Sequence, residues 1–226
     1  MPCTRSTTVG ASVLLTTTLA ALSGAAQAAL PPGTVKLECG SDAQAREAQQ
    51  IQKRGAGLVK RGPAQELQLQ TRVGLRSFTQ ETGAPPQHFL FCDLRQGFAL
   101  IGVQEGMQLS GRLLDLKNGR ITEAGPELQI KADRSAYFYS RHEAGPRLQQ
   151  WQIRNTAGLL LWQGKNQLTG SDGAIKAYLQ DAQWQPSGEL GAKASCTNGM
   201  EHAWPVKLLK QRGEWSWQPL RRCGKF

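Results

Sequence analysis

Four tryptophans crowd the last part of the chain: Trp184, Trp204, Trp215 and Trp217, with Lys207, Lys210, Arg212, Arg221 and Arg222 among them. Flat aromatic rings stack on sugars and bases, and neighbouring cations attract acidic groups. Trp215 and Trp217 stand two residues apart, so on an extended strand they share a face. Trp215, Trp217, Lys207 and Arg212 are therefore the candidate binding residues. The competing reading is structural, because rings of this size bury enough area that alternating tryptophans also fill cores.

Patterns for covalent chemistry are missing. A nucleophilic serine needs a strained Gly-x-Ser-x-Gly turn or a Ser-x-x-Lys pair, and neither occurs. The three histidines are His88, His142 and His202. His142-Glu143 and Glu201-His202 resemble acid–base pairs, but adjacent strand residues point to opposite faces. Asp115, Glu123, Glu127, Asp133 and Glu143 could supply paired carboxylates for glycan hydrolysis, although no spacing singles out two of them. No calcium loop, phosphate loop or dinucleotide fingerprint is present, so no cofactor is expected.

The chain's first residues read as a secretory signal. Arg5 precedes an apolar run from Val9 to Leu22, and Ala26-Gln27-Ala28 fits the small-x-small cleavage rule. The run is too short to remain as a membrane span. The mature protein is expected to start at Ala29, in the periplasm of a Gram-negative cell or secreted. A lipid anchor would need a Cys at the cut, whereas Cys39 lies well beyond it. No later run is long enough for a transmembrane segment.

Of five cysteines, Cys3 leaves with the signal, and Cys39, Cys92, Cys196 and Cys223 remain. An even number in an oxidising compartment reads as two disulfides. Three pairings are possible. Cys39–Cys92 with Cys196–Cys223 is preferred, since each bond then staples one end of the chain. The rival use is a metal site, and no C-x-x-C or H-x-x-x-H spacing supports one. The formal net charge is +10, of which Arg5 carries one. That balance favours anionic partners: an envelope polymer, a lipid headgroup or nucleic acid. The basic residues are scattered, which argues against a dedicated nucleic-acid groove.

The elements that would position these groups follow from periodicity. Pro31-Pro32-Gly33 reads as an unstructured leader. One helix is expected after it, with Ser41 as N-cap, Gln44 completing a capping box, Ile51 as its one large anchor and Gly55 as its stop. From Leu67 the apolar period changes to two. Leu67 and Leu69, Trp151 and Ile153, and Trp215 and Trp217 alternate with polar residues, which places one set in a core and the other in water. Phe89-Leu90-Phe91, Tyr137-Phe138-Tyr139 and Leu159-Leu160-Leu161-Trp162 are apolar on both faces and read as inner strands. Glycine-bearing turns separate the runs, as at Gly74 and Asn118-Gly119.

Residues 87–125 also slide without a gap onto 126–164, with Arg95 on Arg134, Gly106 on Gly145, Leu109 on Leu148, Gly119 on Gly158 and Gly125 on Gly164. A period near 40 with about four strands marks a propeller blade. The fold expected is all-β: antiparallel sheets from repeated four-strand units, as a small propeller-like array or open row, or else a β-sandwich or barrel. The parts are a signal (1–28), a leader with the short helix (29–66) and a β domain (67–226), with 29–226 one globular unit. The function expected is binding of an anionic envelope component without catalysis. The alternatives are a cofactor-free glycan or peptidoglycan hydrolase, and an interaction module of an envelope complex.

Overall fold

The computed structural model describes residues 30–80, 85–142, 148–170, 173–197, 203–221 and 223. The signal segment and its cleavage site lie outside the described residues, as do Glu143, Glu201, His202 and Arg222.

The chain runs β1 (Val35–Glu38), α1 (Ala43–Arg54), β2 (Val59–Arg61), β3 (Leu67–Thr71), β4 (Gly74–Phe78), β5 (Gln87–Arg95), β6 (Phe98–Glu105), β7 (Gln108–Asp115), β8 (Arg120–Ala124), β9 (Glu127–Ile130), β10 (Ala136–His142), β11 (Gln149–Asn155), β12 (Leu160–Lys165), β13 (Gln167–Thr169), β14 (Ile175–Trp184), β15 (Leu190–Cys196), β16 (Trp204–Gln211) and β17 (Glu214–Gln218). The fold is all-β with one short helix, and every strand pairing is antiparallel. Consecutive strands form four meanders. The first sheet is β2-β3-β4, the second β5-β6-β7-β8, the third β9-β10-β11-β12 and the fourth β13 to β17. β1 adds to the third sheet beside β9. Under the shift of 87–125 onto 126–164, the four strands of the second sheet fall on the four of the third.

Three separate cores order these sheets into a row. Leu67, Leu69 and Phe78 of the first sheet meet Phe91, Ile101 and Leu114 of the second. Leu100 and Leu113 of the second meet Leu128, Ile130, Tyr137 and Tyr139 of the third. Phe138, Trp151 and Ile153 on the third sheet's other face meet Leu179, Trp204, Val206 and Trp217 of the fourth. Among the described residues no core joins the first sheet to the fourth. The alternation in β10 explains the arrangement: Tyr137 and Tyr139 face one neighbour and Phe138 the other, as strands covered on both sides require.

Two disulfides tie the row, Cys39–Cys92 and Cys196–Cys223. The first joins the segment after β1 to β5, and so joins the third sheet to the second. No helix among the described residues is long and apolar enough to cross a membrane.

Several local expectations are corrected. The helix begins after Asp42, not Ser41, and no side chain caps it. The Asp42 carboxylate instead pairs with Arg46 one turn on, at 2.5 Å. Gly55 ends the helix as expected, donating to the carbonyls of Gln50 and Ile51. Glu47 accepts from the Arg61 guanidinium at 2.6 Å and from the Phe91 N–H at 2.7 Å. That carboxylate fastens α1 over β5 and pairs a donor on the edge of the second sheet. The strand pattern also starts before Leu67, because β1 and β2 are already paired. Leu159, Leu160 and Leu161 are not inner residues: β12 is an edge strand, and they are 65%, 41% and 40% exposed. Gln152 is not in water but buried.

Candidate functional site

The third sheet lies between two neighbours and meets them differently. Toward the second sheet, polar groups close the contact. Gln152 accepts from the Tyr139 hydroxyl at 2.5 Å and from Arg154 Nε at 3.2 Å. Arg154 Nη2 donates to Glu123 on β8 at 2.5 Å, and Arg141 donates to the other oxygen of the same carboxylate. Partial burial pushes the Glu123 carboxyl up, but the Arg141 hydrogen bond and the charges of Arg141, Arg154 and Arg112 outweigh it and hold it below the usual range. Burial raises the Tyr137 phenol to about 12, and its hydroxyl donates to the Glu123 carbonyl at 2.7 Å.

Toward the fourth sheet the contact opens into a cleft of about 1150 Å³. Its opening follows from β14. The β14–β15 register shifts between Gln180 and Gln183, and Asp181 within that bulge takes a left-handed φ of 53°. Such bulges redirect side chains and collect near functional sites. Gln129 of β9 holds the bulge: its amide donates to the Ala182 carbonyl at 2.9 Å, and its own carbonyl accepts from the Trp184 indole at 2.9 Å. At the far end Asn166 links the sheets, accepting the Gln149 N–H on its side chain at 2.9 Å and the Leu179 N–H on its backbone at 2.9 Å.

Phe138 and Trp151 stand in the wall of the cleft, almost wholly buried in the core behind it. Gln149, Gln180, Gln183, Gln185, Ser140 and Tyr178 are among its polar lining residues. Each amide both donates and accepts, which suits a ligand rich in hydroxyls and acetamides. Lys36, Lys193 and Lys207 supply positive charge against Glu127 and Asp181. Lys193 is paired to Asp181 at 3.0 Å and Lys36 to Glu38 at 2.8 Å. The hydrogen bond to Glu38 raises the Lys36 ammonium above its ordinary range.

The sequence candidates fall in different places. Lys207 lines the cleft and reaches the Ser187 hydroxyl at 3.5 Å. Trp217 is 7% exposed and packs edge-on against Trp151 at 5.9 Å and Trp162 at 6.0 Å, so it backs the ring that lines the cleft. Trp215 is half-buried beside the same core, with Lys210 over its ring at 5.8 Å. Arg212 stands exposed at the β16–β17 turn and does not line the cleft. Of the carboxylates named from sequence, Glu127 lines the cleft, while Glu123 serves the opposite face of the third sheet. Among the described residues no His, Cys, Asp or Glu side chains converge in threes as metal ligands.

Sequence reasoning missed Phe138, Gln129, Gln180 and Asp181 as site residues. The one signal was the polar run Gln180-Asp181-Ala182-Gln183 inside an otherwise regular strand. No protein-family model, curated protein or solved structure matches the chain.

Proposed function

We propose that the chain is an exported protein that holds an anionic glycan of the cell envelope in the cleft between its third and fourth sheets, without transforming it. The cleft carries this reading: its size, four lining glutamines and three lining lysines match the hydroxyls and acid groups of such a polymer. The net charge of +10 supports an anionic occupant. The two disulfides support an oxidising compartment.

Trp151 lines the cleft and reports on it. Titration with an acidic envelope polysaccharide should change tryptophan fluorescence saturably. The affinity should fall as salt rises, through screening of the lysines. Lys207→Glu should weaken binding severalfold while leaving the fold intact, because Lys207 is exposed. Absence of saturable binding at low salt overturns the reading. Release of new reducing ends would instead favour a hydrolase using Glu127 and Asp181, the two carboxylates that share the cleft.

A further inference from the structure

At the turn end of the first three sheets a second cavity of about 400 Å³ gathers three cations from three sheets. Arg72 comes from the β3–β4 turn, Lys117 from the β7–β8 turn and Arg134 from the β9–β10 turn. Thr156 of the β11–β12 turn adds a hydroxyl. This cavity shares no lining residue with the cleft.

Backbone bonds fix the spacing of these turns. The Arg72 N–H donates to the Leu116 carbonyl at 2.9 Å, and the Leu116 N–H to the Gly97 carbonyl at 2.9 Å. The Thr156 N–H donates to the Ser135 carbonyl at 3.2 Å, beside Arg134. The charges are therefore not scattered on loose loops. Their one acidic neighbour in the cavity is Asp115, and both its oxygens are engaged locally. One accepts from the Lys117 N–H at 2.8 Å and the other from the Asn118 amide at 2.8 Å. Among the described residues the side chains of Arg72 and Lys117 have no hydrogen-bond or ion-pair partner, and Arg134 reaches only the neutral Gln96 amide oxygen at 3.3 Å. Gln96 and Arg134 both hold left-handed backbones, with φ of 49° and 59°, which directs their side chains from otherwise glycine-like turn positions.

We infer that this cavity binds a phosphate group. Two guanidinium forks and an ammonium offer more donors than a carboxylate can use, and tetrahedral phosphate, with up to two charges, accepts them all. The volume admits one phosphate with a sugar or glycerol ester attached, and is too small for a folded polymer segment. Free phosphate and a phosphorylated sugar share this chemistry.

The test is calorimetric titration of the mature, disulfide-intact chain with inorganic phosphate and with glucosamine 1-phosphate, against sodium chloride at matched ionic strength. Both phosphates should bind. Arg72→Ala and Arg134→Ala should each weaken phosphate at least tenfold, Arg134→Lys should weaken it less, and Asp115→Asn should tighten it. Lys193→Ala, in the cleft, should leave it unchanged. All four positions are exposed or half-buried, so melting followed by circular dichroism serves as the folding control. A tenfold preference for the sugar phosphate assigns the site to an ester, and equal affinity assigns it to the free ion. Phosphate binding no tighter than chloride, or affinity unmoved in both arginine variants, overturns the inference. Loss of glycan binding at the cleft with phosphate binding intact would overturn only the reading under Proposed function.

Discussion

The two faces of the third sheet are built from the same strands and end differently. Toward the second sheet, tyrosines, a buried glutamine and a doubly paired glutamate fill the contact. Toward the fourth sheet, a tryptophan cluster makes a core at one side and a bulged strand leaves the cleft at the other. Side-chain alternation alone permits either outcome. Both neighbouring sheets carry a register break, β5 against β6 between Phe91 and Asp93 and β14 against β15 between Gln180 and Gln183, but the first is packed over and the second borders the cleft. In the fourth sheet the displaced stretch of backbone borders an open cleft where the opposite face of the third sheet packs closed.

This contrast can be broken in three ways. The largest effect is expected from Trp217→Ala, which removes the ring behind Trp151 and Trp162. The cost should be about 3–5 kcal/mol in urea unfolding. A much smaller loss would mean that the open interface does not depend on its tryptophans.

The closed interface should instead fail in alkali. Tyr137 has a folded pKa of about 12 against an ordinary value of 10.0. A group raised in this way stabilises fully below the unfolded value, and its contribution disappears as pH rises through the folded one. Stability should therefore fall between pH 10 and pH 12, by about 3 kcal/mol from this phenol. Tyr139, also raised by burial, acts in the same direction. Tyr137→Phe should flatten the decline, and an unaltered slope would show that the phenol is not the cause.

The smallest effect belongs to Gln129→Ala, which leaves the Ala182 carbonyl and the Trp184 backbone N–H without their side-chain partner, while the Trp184 indole keeps the backbone carbonyl of residue 129. A loss of about 1–2 kcal/mol is expected, with faster amide exchange confined to β14 near its bulge. Exchange accelerated equally in the second sheet would show that Gln129 does not act on the bulge locally.

Much of the fold was legible because its strands carry the period that their burial demands. Leu67 and Leu69, and Trp151 and Ile153, turn inward as their alternation requires. Both preferred disulfides form, since stapling the chain's ends also brings neighbouring strands together. What failed was any inference from polarity to water. Gln152 and Arg154 read as a solvent face, yet they meet Tyr139 and Glu123, and a satisfied polar side chain is buried at little cost. Leu159 to Leu161 read as interior, yet composition cannot tell the last strand of a sheet from a middle one. β1 was missed because four residues after a proline pair hold too little pattern, and their partner lies far along the chain. The cleft was hidden for a related reason: it is made by a register shift, and sequence records residues, not register. Trp215 and Trp217 drew notice as rings, but Trp151, which shared no cluster with them in sequence, is the one whose buried ring stands in the cleft's wall.

The pairing of β1 with β9 carries a consequence for assembly. Val35 to Glu38 are made before the second sheet, yet their partners Glu127 to Ile130 arrive only after that sheet is complete. The early strand must wait, with Leu37 uncovered, for a docking place that does not yet exist. A chain delivered from its amino end therefore cannot seat its first strand until the third sheet begins, and an apolar strand left waiting until then is where a chaperone would have most to hold.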